Sequence, residues 1–220
     1  MGQAGACVES RQERGARRLM LDSLARRLID PPLDALARPL ARAGVGADAV
    51  TLLGLAAGLA SAVLVAFGQM SAALAALGLS RLADGLDGAI ARRTSRTDRG
   101  GYLDIVCDFA FYGAFPLGFA ILDPAANALA AATLLFSFYV NGAAFLAHAA
   151  IAERRGLETR AQGEKSFYYV AGLAEGTETI LVFLFVLVRP DLFAWLAFGF
   201  AALCCVSALA RVALAWRAFR

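Results

Sequence analysis

Residues 84–108 read D-G-L-D-G-A-I-A-R-R-T-S-R-T-D-R-G-G-Y-L-D-I-V-C-D, and strongly apolar sequence flanks them on both sides. Asp84 and Asp87 are three apart, and Asp104 and Asp108 are four apart. On helices each pair therefore shares one face. An arginine-rich turn separates the pairs, so two neighbouring helices can aim all four carboxylates at one point. Such groups stay close only if a cation neutralises them or some take up protons. Divalent metal ions supply that charge and favour oxygen ligands.

Outward from this stretch, the composition sets the solvent. The 220 residues are 60% hydrophobic with mean hydropathy +0.62, above the roughly 45–50% apolar content of soluble domains. That excludes an ordinary soluble domain, and the length suits one integral membrane domain. Apolar stretches fall at about 49–68, 71–90, 102–122, 125–150, 167–188 and 191–215. Each is near the roughly 20 residues that cross about 30 Å of hydrocarbon as a helix. The expected fold is all-α: a six-transmembrane-helix bundle over about 47–217, preceded by an amphipathic interfacial helix at about 20–43. Residues 1–19 are expected to be a disordered basic leader, leaving 20–220 as the membrane domain.

Charge orients the bundle. Eight arginines precede residue 43, and Arg92, Arg93, Arg96 and Arg99 lie between the second and third stretches. Arg154, Arg155, Arg160 and Lys165 lie between the fourth and fifth, and Arg217 and Arg220 end the chain. The opposite side offers only Arg189. The positive-inside rule then makes both termini cytoplasmic and puts residues 84–108 at the cytoplasmic edge. In the amphipathic segment Leu24, Leu28 and Ile29 share a face away from Arg26 and Arg27, with a kink expected at Pro31 and Pro32 and arginines near anionic head groups. No apolar run follows the leader's charges closely, so it is no secretory signal. Ala6 stands where a myristoylation site needs Ser or Thr, and Met20 is an alternative start. Cys7, Cys107, Cys204 and Cys205 have neither metal nor redox spacing and read as small packing residues.

Along the spans, Asp48 is the expected N-cap of the first helix, with Thr51 in its first turn and small residues following that suit close helix packing. Arg81, Asp84 and Asp87 sit on the second, at a depth where unpaired charge costs several kcal/mol. Asp84, Asp87, Gly88, Ala91 and Arg92 fall within one arc of about 140° at 100° per residue, and Gly88 and Ala91 remove bulk there for something as large as a nucleotide. Gly100, Asp104 and Asp108 share a face of the third helix, which Pro116 is expected to kink. Asn141 and the only histidine, His148, lie on the fourth, and a hydrogen-bonded packing role is the expectation for His148. Glu175 and Glu178 on the fifth either pair with basic side chains or face a polar cavity. Arg211 on the sixth either snorkels to lipid phosphate or binds a substrate phosphate.

The pattern D-x2-D-G-x2-A-R-x7-G-x3-D-x3-D resembles the signature of the CDP-alcohol phosphotransferase (CDP-alcohol phosphatidyltransferase) family. The six-helix layout and the N-terminal amphipathic helix extend the resemblance to about residues 20–217. K-S-F-Y-Y and G-L-A-E-G-T-E-T-I are similar to a bacterial inner-membrane branch whose substrates are unassigned. The resemblance implies transfer of a phosphatidyl group from CDP-diacylglycerol to a polar alcohol, with release of CMP, in phospholipid biosynthesis. It implies two divalent cations, Mg2+ or Mn2+, on Asp84, Asp87, Asp104 and Asp108, with Asp108 also the general base. It implies CDP contacts at Thr51, Asp84, Asp87, Gly88, Ala91 and Arg92, and a homodimer in the bacterial inner membrane. Acceptor contacts are expected at Lys165 and Arg211, then Arg155, Glu175 and Glu178. No nucleic-acid partner is expected. Many members carry Pro-Asn, then Thr three residues after the Asn, at the start of the first helix; this chain has Ala47, Asp48 and Thr51.

The chemistry agrees with these roles. Paired metals about 3.5–4 Å apart stabilise attacking and leaving oxygens in a phosphoryl displacement, and a positioned carboxylate can take the proton of an attacking alcohol. The alternative within the family is a soluble CDP-alcohol donor with a lipid acceptor. Outside it stand a non-catalytic membrane binding protein and a cation transporter; clustering of the acids at one end of the bundle argues against the transporter.

Overall fold

The computed structural model describes residues 31–155 and 176–219, apart from the side chain of Arg217. The leader, Met20, the first part of the amphipathic segment, Lys165 and Glu175 lie outside the described residues. The described chain is helical over residues 31–42 (α1), Ala47–Ala66 (α2), Met70–Arg93 (α3), Asp98–Leu122 (α4), Pro124–Arg154 (α5), Gly176–Val188 (α6) and, after a short 3-10 turn at Pro190–Leu192, Phe193–Ala218 (α7). No strand occurs among the described residues.

Local chemistry sets several boundaries. Gly44 ends α1 with φ +77°, and Gly68 follows α2 with φ +72°. At each the next residue's N–H reaches back to the last turn, Val45 to the Leu40 carbonyl (3.0 Å) and Gln69 to the Leu64 carbonyl (2.8 Å). This left-handed cap favours glycine. Asp123 caps α5 by accepting from the Ala126 N–H at 3.1 Å, with Pro124 in the first turn. Thr97 accepts from the Gly100 N–H at 3.0 Å, so α4 starts ahead of the motif glycine.

Four of these segments are long and apolar enough to cross a membrane: Ala47–Ala66, Asp98–Leu122, Pro124–Arg154 and Pro190–Trp216. Large apolar side chains stay exposed on them, including Leu53, Leu129, Trp195 and Leu209. Such a surface suits a lipid solvent. The other two expected spans differ. α3 has the length but carries Arg81, Asp84, Asp87, Arg92 and Arg93 in its second half, and α6 is a shorter apolar helix of 13 residues in the described chain.

The described residues divide into two compact units. One holds the chain up to Gly54 with Arg81–Asp104; the other holds Leu55–Ser80 and the chain from Ile105 onward. The first is built on Ala37, Val50, Ala83, Ala89 and Ile90, with Leu33, Leu40 and Leu86 packed against them. Spacing 33, 37, 40 makes this one face of α1. Leu33 lies over Gly85, where a Cβ would come within 2.8 Å of Leu33 Cδ1.

The second unit is aromatic. Phe115 stacks on Phe183 and Phe119 on Phe193, each with centroids 4.1 Å apart, and Pro116 is fully buried beside them on α4. Glycines allow close approach here as the sequence reading expects of small residues. A Cβ on Gly118 would collide with the Ala62 carbonyl, and one on Gly58 would lie 2.7 Å from the Phe111 ring.

Candidate active site

The first unit assembles most of the motif. Asp84, Asp87, Gly88, Ala91 and Arg92 follow one another on the second half of α3, and Gly100 and Asp104 open α4. Asp84 and Asp104 each bring a carboxylate oxygen within 4.8 Å of the other. Along its own helix Asp104 has Asp108 one turn further on, again with oxygens within 4.8 Å. Arg81 lies 3.7 Å from Asp84 and supplies one positive charge to this edge of α3.

Asp87, one turn along α3 from Asp84, has a partner of its own. The Thr51 hydroxyl donates to Asp87 Oδ2 at 2.6 Å, and both residues are only 8% exposed. The same hydroxyl lies 3.1 Å from the Ala47 carbonyl, so the shorter, charge-assisted contact dominates. Thr51 thus orients an acid of the motif, a role beyond the nucleotide contact expected of it.

Asp48 corrects an expectation. α2 begins at Ala47, so Asp48 stands inside the first turn instead of capping it. An acid there still suits the helix dipole. Its Oδ2 accepts from both Nε (2.8 Å) and Nη2 of Arg99. The motif glycine makes room for this pairing: a Cβ on Gly100 would lie 3.2 Å from Asp48 Oδ1. Arg99 is a residue that sequence reasoning counted only as loop charge. The signal was available in Asp48 itself, because an acid where relatives carry a neutral amide calls for a cation.

Gly88 lies beside Arg92, one turn further along α3. A Cβ on Gly88 would meet only the Arg92 guanidinium, at an ordinary 3.5 Å. Packing among the described residues therefore does not demand glycine there, and the space beside the acids is kept free. Arg93, next in the chain, turns away and donates to Asp34 of α1 at 2.8 Å.

Of the expected acceptor contacts, the described ones, Arg155, Glu178 and Arg211, belong to the second unit. Arg211 and His148 line a cleft of about 460 Å³ between α5 and α7, together with Trp216 and Phe219. Arg211 stacks its guanidinium on Phe145, 5.1 Å from the ring centroid. Arg155 is engaged elsewhere: it donates to the Phe219 carbonyl at 2.8 Å and lies over that ring. Glu178 is exposed in the first turn of α6.

Residues 44–216 match the family model for CDP-alcohol phosphatidyltransferase. The chain belongs to that family. As a CDP-alcohol phosphatidyltransferase it is a transferase of phosphate-containing groups. It is 46% identical over 193 residues to the inner membrane protein YnjF of Escherichia coli (strain K12), covering 88% of this chain and 94% of that protein. Its fold is similar to the crystal structure of Mycobacterium tuberculosis phosphatidylinositol phosphate synthase with CDP-DAG bound, at TM-score 0.67 and 24% identity over 84% of this chain and 93% of the other. The same enzyme in complex with manganese and citrate aligns at TM-score 0.65 and 24% identity, over 84% and 88% of the two chains.

The donor set of this phosphatidyltransferase fits a divalent cation. Hard cations take oxygen ligands at about 2.0–2.6 Å, so two oxygens on one ion are no more than roughly 5.2 Å apart. The separation between Asp84 and Asp104 meets that limit. Both are carboxylates, with no thiol or imidazole beside them, which favours a hard divalent cation over softer metals.

Proposed function

We propose that this protein moves a phosphatidyl group from CDP-diacylglycerol to the hydroxyl of a polar alcohol and releases CMP. The observation that carries the reading is the gathering of motif carboxylates, with Asp84 and Asp104 oxygens within 4.8 Å, in a chain of this family. The CDP-DAG and manganese bound by the mycobacterial enzyme of similar fold support the choice of donor and metal.

In this reading Asp84, Asp87, Asp104 and Asp108 hold two divalent cations, Mg2+ or Mn2+. Bound there, the ions supply positive charge to the donor's diphosphate and to the oxygens that gain charge as it breaks. Thr51 fixes the Asp87 carboxylate from behind. Gly88 and Ala91 leave room for the cytidine nucleotide, and Arg92 donates to its phosphate. The Asp108 carboxylate takes the acceptor's hydroxyl proton as the acceptor oxygen bonds to the phosphorus bearing diacylglycerol. The bond from that phosphorus to the CMP oxygen breaks, and CMP leaves with the electron pair. The product keeps its acyl chains and stays in the bilayer. Arg211 is the acceptor-side cation, with Lys165, Arg155, Glu175 and Glu178 as further candidates.

The setting follows from the same family and from charge. We place a membrane domain at 20–220, after a leader at 1–19, in the bacterial inner membrane. It spans six times with both termini and the acids on the cytoplasmic face, and pairs as a homodimer. The inner-membrane relative at 46% identity supports the location.

The test uses purified protein with Mn2+ or Mg2+, CDP-diacylglycerol and a panel of polar alcohols and their phosphates, reading CMP and lipid product by mass. CMP and a new lipid should appear together for at least one acceptor. Asp108→Asn should stop turnover and leave the fold intact. Release from CDP-choline with diacylglycerol, and none from CDP-diacylglycerol with any acceptor, would overturn the donor. Full turnover by Asp108→Asn would remove the base.

A further inference from the structure

Apart from the acids, the first unit holds a second charged cleft, of the opposite sign. Arg38, Ala41 and Arg42 of α1 and Arg93 and Thr94 at the end of α3 line a space of about 450 Å³. Asp34, Arg38 and Arg42 follow at steps of four, so they form one face of α1. That face flanks the apolar one by which Leu33, Ala37 and Leu40 seat on the core. Among the described residues the only carboxylate paired with these arginines is Asp34, which meets Arg93 at 2.8 Å. Arg38 and Arg42 have no hydrogen bond or ion pair among the described residues. Thr94 spends its hydroxyl on the Ile90 carbonyl at 3.1 Å, so the donors facing the cleft are guanidinium groups.

Three guanidinium groups against one carboxylate leave an excess of positive charge across the α1–α3 contact. Like charges there repel, and an anion between them would turn the repulsion into a bridge. The position narrows the anion. Arg42 precedes the start of the apolar helix α2 at Ala47 by five residues, and Thr94 precedes the start of α4 at Asp98 by four. Both are candidate membrane spans, so the cleft lies by sequence at the polar boundary where phospholipid phosphates sit. Guanidinium forks match phosphate oxygens in geometry and charge.

We infer that Arg38, Arg42 and Arg93 form a phosphate-binding site that bridges α1 to the end of α3, for a lipid head group or a soluble phosphate. It uses none of the acids and none of the residues assigned to the CDP moiety. Because α1 also lays Leu33 over Gly85, an occupant would hold that helix against the motif.

The full chain in phosphatidylcholine nanodiscs, with chelator and without CDP-lipid, keeps the transfer reaction out of the readout. Phosphatidylglycerol blended into the disc, or inorganic phosphate added outside it, is the probe, and thermal unfolding and native mass spectrometry read binding. A rise in melting temperature with phosphatidylglycerol that Arg38→Gln/Arg42→Gln lacks supports a head-group site. At least roughly tenfold weaker lipid binding is expected from loss of the charge-assisted hydrogen bonds to phosphate. The same discrimination with inorganic phosphate and not with the lipid supports a soluble ligand. Arg96→Gln/Arg154→Gln removes equal charge outside the cleft and should keep the response. If it loses the response equally, or if neither probe separates wild type from Arg38→Gln/Arg42→Gln, the site is refuted. Should that variant fail to fold, Arg38→Lys/Arg42→Lys keeps the charge without the fork, and binding equal to wild type would refute guanidinium recognition.

Discussion

Thr51→Val isolates the hydrogen bond that orients Asp87. The swap keeps the branched shape of the side chain and removes only the hydroxyl. The donor it deletes is short, 2.6 Å to Asp87 Oδ2, and both partners are 8% exposed, so water has little access to replace it. A hydrogen bond to a charged group contributes about 1.5–3 kcal/mol, which is roughly 10- to 100-fold in an equilibrium constant. Loss of partners behind a metal ligand costs metal affinity or activity over the same range. Thr51→Val should therefore weaken Mn2+ binding by about tenfold or more, measured by calorimetry on purified protein without substrate. The Mn2+ needed for half-maximal CMP release should rise in parallel. Thr51→Ser keeps the hydroxyl and should restore most of both. A Thr51 that only contacts nucleotide predicts a different pattern: a raised KM for CDP-diacylglycerol with Mn2+ dependence unchanged. Folded Thr51→Val protein whose Mn2+ affinity lies within about twofold of wild type would refute the positioning role.

Chelation with EDTA should abolish CMP release, and added Mn2+ or Mg2+ should restore it, since adjoining carboxylates supply no electrophile of their own. Two glycines should differ sharply when replaced by alanine. Gly118→Ala drives a methyl into the Ala62 carbonyl, a backbone atom that cannot step aside. A loss of about 1–3 kcal/mol is expected from overpacking, read as a lower melting temperature. Gly85→Ala meets only the tip of the Leu33 side chain at 2.8 Å, which can rotate away, so its melting temperature should fall less than that of Gly118→Ala.

What the sequence made legible, and what it did not, follows from how far apart the interacting residues are. Asp84, Asp87, Asp104 and Asp108 stand out because a carboxylate in an apolar helix has no cheap structural explanation. Their spacing is local, so helix geometry alone predicts shared faces. Helix positions were legible for the same reason, and most boundaries fall within a few residues of the apolar runs. α3 shows the limit: its first half reads as a span, while the charges of its second half leave it short of the apolar content of the other four. Contacts between distant parts of the chain were not legible. Leu33 over Gly85, Arg93 on Asp34 and Arg155 on Phe219 join residues 52, 59 and 64 positions apart. No periodicity marks such pairs, and each side chain alone reads as ordinary surface or core.

Asp48 lies between those cases, and the structure gives its departure from the family pattern a physical meaning. Asp48 and Thr51 are three residues apart in the first turn of α2, so they share a face. From that face Asp48 takes Arg99 at the start of α4, and Thr51 donates to Asp87 on α3. One turn of one helix thus ties down both arms of the motif. An asparagine at 48 could accept from Arg99 through its amide oxygen, without the charge. The acid adds an electrostatic component, which for a pair this exposed is worth about 1 kcal/mol or less. Asp48 and Arg99 are therefore best read as a matched pair that changes how α4 is held while leaving Thr51 free to hold Asp87. On that reasoning the motif acids keep their support despite the altered start of α2. The substitution bears on the α2–α4 junction and leaves the chemistry of the acids alone.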